Sequence, residues 1–271
     1  MAATAVQHLG EQRPVASPAA RFLYLWSQIV TRDLKARYKQ TVLGGLWGLG
    51  RPLLELGVYA IVFGTVLGAP SDGLPYPLFA YAGVVVWTFV ARGLLGATHS
   101  VSGHAGLVSS VPFPKATLPL AAISAALVDA AVAALPLGVA LAYYRVPLTA
   151  HVLWLVPIGC ILVLLVTGIG LIASALNVFY RDVGHLAELV MRVWLLLTPV
   201  VYATSAVPER YRSLYALNPL VSVFENVRGV LIEGAVVDWP SLAYPAAVSV
   251  GVLLVAIPLF RRMQPYFAES V

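Results

Sequence analysis

The feature that most constrains this chain is the alternation of long apolar runs with short polar breaks along almost its whole length. The runs cover about 46–67, 78–98, 118–144, 152–176, 187–203 and 242–260. A helix needs about 20 apolar residues to cross the hydrocarbon core of a bilayer. The run at 187–203 is short for a full crossing unless its flanks contribute. Only 11% of the residues are charged and 60% are hydrophobic, against about 25% charged in an ordinary soluble domain. Open strands leave backbone groups unpaired in lipid, so the expectation is an all-α integral membrane protein with six transmembrane helices.

Six crossings put both termini on one side, and basic residues choose the side because they collect on cytosolic flanks. Arg13, Arg21, Arg32, Lys35, Arg37, Lys39, Arg51, Lys115, Arg181, Arg192, Arg261 and Arg262 fall on one side of the predicted bundle; Arg145, Arg210, Arg212 and Arg228 fall on the other. Both termini are therefore expected in the cytosol. Residues 1–20 are polar and Pro-containing, with no apolar core or cleavage site of a secretory signal, and read as a disordered cytosolic tail before one transmembrane domain, 21–271. The lone Cys160 lies in an apolar run and can form no intrachain disulfide.

Three segments outside the spans carry further information. In 21–40, Phe22, Leu25, Trp26, Ile29 and Val30 recur at helical spacing beside Arg32, Asp33, Lys35, Arg37 and Lys39, the pattern of an amphipathic helix lying in the membrane interface. The cytosolic break from Ser100 to Thr117 holds a short apolar stretch, Leu107 to Val111, closed by Pro112 and Pro114. It reads either as a docking element for a partner's groove or as a connecting turn. The stretch 204–239 is too long for a hairpin and too apolar for a solvated loop. Its pieces Leu214 to Leu217 and Leu220 to Ile232, broken at Asn218-Pro219, read as short re-entrant helices at the mouth of a pathway or as a cap packed on the spans.

Ionisable groups within the runs are few. Arg51 and Glu55 stand four apart and can pair on one helix face. Arg92 lies toward the inner end of the second run and Asp129 near the middle of the third; a neutral carboxyl or a contact with another span would offset the cost of burying Asp129. Every lysine lacks the preceding glycine of a Walker A loop. Gly168-Ile169-Gly170-Leu171-Ile172-Ala173 matches a relaxed dinucleotide pattern but sits inside a span, where small residues serve helix packing. The histidines form no metalloprotease motif, no nucleophile elbow occurs, and no metal site or catalytic residue is expected. A secondary transporter would show internal repeats and midplane ion ligands, and a membrane-embedded transferase would need clustered acids or histidines; neither pattern is present in the sequence.

The segment Arg32-Asp33-Leu34-Lys35-Ala36-Arg37-Tyr38-Lys39-Gln40-Thr41-Val42-Leu43-Gly44, running into Leu46-Trp47 and Arg51-Pro52-Leu53, resembles the entry to the first span of type-2 ABC export permeases. It is most similar to those that export lipid-linked polysaccharide: the O-antigen, teichoic acid and mycobacterial galactan permeases. Four more pieces follow in that family's order: Leu107 to Lys115 with Leu118-Pro119-Leu120; Asn177 to Val183; Thr198 to Tyr202 with Val207-Pro208; and Leu217-Asn218-Pro219-Leu220. The tail Gln264 to Glu269 fits as well.

The resemblance implies a homodimeric pore in the bacterial inner membrane that docks two copies of a cytosolic ABC ATPase, with ATP and Mg bound by that partner and no cofactor in this chain. Coupling to the ATPase would fall to Leu107, Val108, Val111, Phe113 and Lys115, with Arg181 and Asp182 as a second contact. Ser109-Ser110 depart from the basic or bulkier residues of many relatives. Arg32, Lys35, Arg37, Lys39 and Arg51 would meet the pyrophosphate of a polyprenyl-linked polymer at the entry, although acidic membrane lipid also explains them. Tyr59, Phe63, Trp87, Trp194 and Tyr202 would line the sugar path, or anchor and pack the spans. Asn218, Pro219, Glu225 and Arg228 would belong to an external gate. No nucleic-acid partner is expected, and the alternative cargo is a small lipid or drug.

Overall fold

In a computed structural model, residues 18–38, 46–110 and 113–270 are described. They are helical or irregular, without a strand among them. The helices are α1 (Pro18–Tyr38), α2 (Leu46–Tyr59, continuing as a π-helical segment Ala60–Val66), α3 (Tyr76–Ser100), α4 (Ala105–Ser110), α5 (Thr117–Tyr143), α6 (Leu155–Phe179), α7 (Asp182–Leu196), α8 (Glu209–Tyr215), α9 (Pro219–Arg228, followed by a π turn Gly229–Glu233), α10 (Trp239–Met263) and α11 (Phe267–Ser270). Four stretches, Tyr76–Ser100, Thr117–Tyr143, Ala150–Phe179 and Trp239–Ser270, are long and apolar enough to cross a bilayer. Pro52–Val66 is a shorter apolar helix.

The expected tail lies outside the described residues up to residue 17, whereas Pro18 to Ala20 already form the first turn of α1. The short run expected at 187–203 is displaced: its helix, α7, begins at Asp182 and stops at Leu196. Both ends have a local cause. A carboxylate in the first turn suits the helix macrodipole, and Pro199 disfavours helical geometry at the residue before it.

Helix α3 is the central post, packing against α2, α5, α6, α7 and α9. Small residues let the helices approach, as expected where lipid is as apolar as leucine and close packing must drive association. A Cβ at Gly93 would stand 2.9 Å from Val166 on α6, and one at Gly170 2.8 Å from Ala97 on α3. Gly168, the other glycine of the apparent dinucleotide pattern, lies against α10, where a Cβ would meet Val252 at 2.9 Å and the Leu253 nitrogen at 3.0 Å. The pattern is thus a helix contact. Polar atoms inside the bundle are satisfied locally: Thr88 and Thr98 donate to carbonyls one turn back, and Tyr81 donates to Ala133 across the helix interface at 2.9 Å.

Asp129, fully buried on α5, meets Arg92 of α3 at 3.1 Å. Contact with another span, one of the two ways of relieving its burial, is thus realised. On α2, Glu55 is half-buried, and the side chain of Arg51 lies outside the described residues.

Candidate functional site

Two apolar clusters divide the molecule. The larger surrounds α3, and the smaller gathers Ile29, Val101, Val108, Leu118, Val178, Phe260 and Phe267 at one end. Lys115, Arg181, Arg261 and Arg262 flank the smaller cluster in sequence, and this end is called the basic end below. The opposite, far end carries α8 and α9.

At the basic end α1 lies along α5. Trp26 donates to Ser124 at 3.2 Å and Ile29 is buried, so the apolar face predicted for this helix rests partly on the chain itself. Leu23 and Tyr24 stay exposed. Arg32 is exposed, donates to Asp33 at 3.1 Å and touches the His104 imidazole in the turn before α4. Lys35 is exposed. Arg37 belongs to α1 but its side chain lies outside the described residues, as does all of Lys39.

The apolar side of α4, expected to meet a partner's groove or to belong to a connecting turn, has a cover within the chain. Val108 is 2% exposed within the smaller cluster, and Leu107 and Phe113 pack against it. Leu107 and Phe113 also line a cavity of about 360 Å³ with Leu25, Ile29 and Arg32 of α1. The surface that α4 and the preceding turn present outward is Gly103, Gly106, Ser109 and Ser110. Val111 lies outside the described residues, Lys115 is half-buried, and Arg181 and Asp182 are exposed where α7 begins.

The far end is a network built on Asn218. Its backbone is extended, and its Oδ1 accepts from the Leu220 amide at 3.1 Å, capping α9 while Pro219 occupies a first-turn position that needs no N–H. The same Oδ1 accepts from the Trp194 indole at 3.0 Å, and Nδ2 donates to the Leu197 carbonyl at 2.8 Å and to the Thr198 hydroxyl at 3.0 Å. One asparagine thus joins the end of α7 to the start of α9. Beside it the Tyr215 hydroxyl donates to Tyr202, whose own hydroxyl donates to Leu196. Burial raises the Tyr215 pKa, so this phenol stays protonated at neutral pH.

Arg228 is 5% exposed. Its guanidinium lies 3.7 Å from the centre of the Phe79 ring and donates to the Phe79 carbonyl at 3.2 Å and the Val200 carbonyl at 2.7 Å. Burial pulls its pKa down to about 9, which leaves it charged at neutral pH. Glu225, on the same helix, is exposed. Gly83 makes the approach possible, because a Cβ there would fall 2.2 Å from the Val200 oxygen and 2.7 Å from the guanidinium. The Tyr76 hydroxyl holds Val201 at 2.7 Å, and the Ala203 amide bonds to Pro70 at 3.1 Å. Gly83 and Tyr76 carry this arrangement without any motif that would single them out, whereas Thr198 opens the Thr198 to Tyr202 piece of the family resemblance.

The five aromatics do not form one track within the chain. Trp194 and Tyr202 belong to the far-end network. Tyr59 and Phe63 meet edge to face, with centroids 6.2 Å apart, where α2 becomes π-helical. Trp87 is 8% exposed and packs within the main core. Among the described residues no cluster of three or more metal-ligating side chains occurs.

Residues 24–232 match the model of the ABC-2 type transporter family. The chain is 34% identical over 249 residues to the O-antigen export system permease protein RfbA of Myxococcus xanthus, covering 90% of this chain and 94% of that one. A Klebsiella pneumoniae protein of the same name is 27% identical over 243 residues, covering 89% and 92%. The polysialic acid transport protein KpsM of Escherichia coli is 23% identical over 246 residues, covering 88% and 93%. With its helical bundle, four long apolar helices and a family match across most of its length, the chain belongs to the ABC-2 type transporter family.

Proposed function

We propose that this chain is the transmembrane subunit of an ATP-driven exporter that carries a polysaccharide across the bacterial inner membrane. The observation that carries the reading is the end-to-end likeness to proteins named for O-antigen export and polysialic acid transport, which leaves little of either chain unmatched.

The finer reading adds three elements. In the first, α2 and α7 complete six crossings despite their length, both termini are cytosolic, and two copies form the path. Tyr59, Phe63, Trp194 and Tyr202, all half-buried in one copy, support a role along that path.

In the second, a separate ABC ATPase binds ATP and Mg and docks on the basic end. The exposed face of α4, with Ser109 and Ser110, lies next to the chain's own apolar cluster. A push there is transmitted through Val108 to α1 and α5 rather than through a free loop. Arg32 and Lys35, with Arg37, Lys39 and Arg51, meet the pyrophosphate of a polyprenyl-linked polymer entering at this end.

In the third, the corner between α8 and α9 is the gate, with Asn218 and the tyrosine pair as its fastening and Arg228 as its anchor. Removing the gene tests the reading. Lipid-linked polymer should accumulate on the inner leaflet while the cell surface loses that polysaccharide. A normal polymer surface with an altered small-lipid or drug profile would instead favour a different cargo.

A further inference from the structure

A second cavity, of about 300 Å³, opens at the basic end among His99, Ser102, Asn177, Arg181, His185 and Ser270. Its walls come from the end of α3, the turn before α4, the end of α6, the start of α7 and α11. Part of this lining is already committed. Asn177 is buried and donates to the Thr98 carbonyl at 3.1 Å and the Ser102 hydroxyl at 3.0 Å, while Ser102 donates to His99 and Ser270 to Tyr266. These residues are the frame.

Among the described residues, the Arg181 guanidinium and the His99 and His185 imidazoles make no hydrogen bond or ion pair, and no carboxylate side chain of those residues lines the cavity. Asp182 lies in the adjacent first turn of α7, exposed and outside the lining. Gly184 shows that the His99 ring is seated closely, since a Cβ there would lie 2.5 Å from Cε1. Three donors, His99 from the end of α3 and Arg181 and His185 from the start of α7, face one space without a partner among the described residues and suit a ligand with several charged acceptor oxygens. The amino end of α7, fifteen residues long, adds a favourable dipole from the same side.

We propose that this cavity is a phosphate-binding site on the basic face of the bundle, distinct from the Arg32 to Arg51 group. Its occupant is a phosphoryl anion, either free in solution or carried on a lipid headgroup, and the site does not depend on what is transported.

Full-length protein purified in detergent provides the test. It is titrated calorimetrically with inorganic pyrophosphate, and in a second arm with phosphatidic acid in mixed micelles. The Arg181→Gln, His185→Gln double variant and the Arg261→Gln, Arg262→Gln double variant are run beside it. Saturable binding is expected, weakened by about ten-fold or more in the first variant, because two donors to a charged acceptor are lost, and unchanged in the second. Binding of pyrophosphate identifies a soluble ligand; binding of phosphatidic acid alone identifies a lipid. Absence of saturable binding in both arms, or equal affinity in the Arg181→Gln, His185→Gln variant, overturns the site. Both substituted residues are exposed, and a thermal melt on each sample verifies folding.

Discussion

Replacing Gly83 by Ala puts one methyl group where the far end of the bundle has no room for it. The new carbon would lie 2.2 Å from the Val200 oxygen, a backbone atom, and 2.7 Å from the Arg228 guanidinium. The segment around Val200 is fastened at Thr198, Val201 and Ala203 by bonds to Asn218, Tyr76 and Pro70, so relief of the clash must move the segment or the α3–α9 contact. Overpacking of this kind costs about 1–3 kcal/mol. Losing the charged hydrogen bond from Arg228 to Val200 adds about 1.5–3 kcal/mol. At about 2–4 °C per kcal/mol for a chain of this size, the melting temperature in detergent should fall by at least about 5 °C. Gly251→Ala is the matched control: it is exposed in α10 with nothing within 4 Å of the added carbon, and should be neutral or stabilise slightly through helix propensity. If Gly83→Ala melted with the wild type, the close fastening of α9 to α3 would be wrong.

Three further outcomes follow from the geometry. Asp129→Leu leaves the Arg92 guanidinium without the carboxylate it faces and should cost about 3–5 kcal/mol, whereas the Arg92→Leu, Asp129→Leu double variant should recover most of it; a thermal double-mutant cycle reads the coupling. Asn218→Asp keeps a good helix cap but sets a carboxylate oxygen against the Leu197 carbonyl, so it should still destabilise by about 1–3 kcal/mol, visible as a lowered melting temperature. For orientation, cysteines at Asp72 or Ser205, which are hydrogen-bonded neighbours at the far end, should react with an impermeant thiol reagent in intact cells while one at Ser110 should not.

The long helices were legible because an apolar run bounded by turn residues has few alternatives in lipid. The break at Asn218-Pro219 was legible because each residue favours a helix start: the asparagine caps and the proline needs no donor. What escaped was side-specific. Helix α3 is apolar over most of its length around Trp87, so its sequence carries no signal that Trp87 turns inward, and a Trp in such a helix reads equally as core or path. Arg92 and Asp129 lie on different helices, and only the packing of α3 on α5 joins them. Arg228 reads as one cation in an outer segment until the bundle folds over it. Val108 shows a related gap: an apolar face on a short helix asks for a cover, but the sequence does not say that α1 and the C-terminal segment provide it.

The central claim, that this chain forms the path for a polysaccharide and a separate ATPase supplies the work, is tested most directly in proteoliposomes. This protein is reconstituted with or without its co-purified ATPase, and a labelled lipid-linked polymer is placed on the ATPase-facing leaflet. ATP-dependent appearance of the polymer on the opposite side is expected only when both proteins are present, with no ATP hydrolysis by this chain alone. Hydrolysis by this chain in a preparation free of the partner, or no polymer movement by the complete complex with ATP, would contradict it.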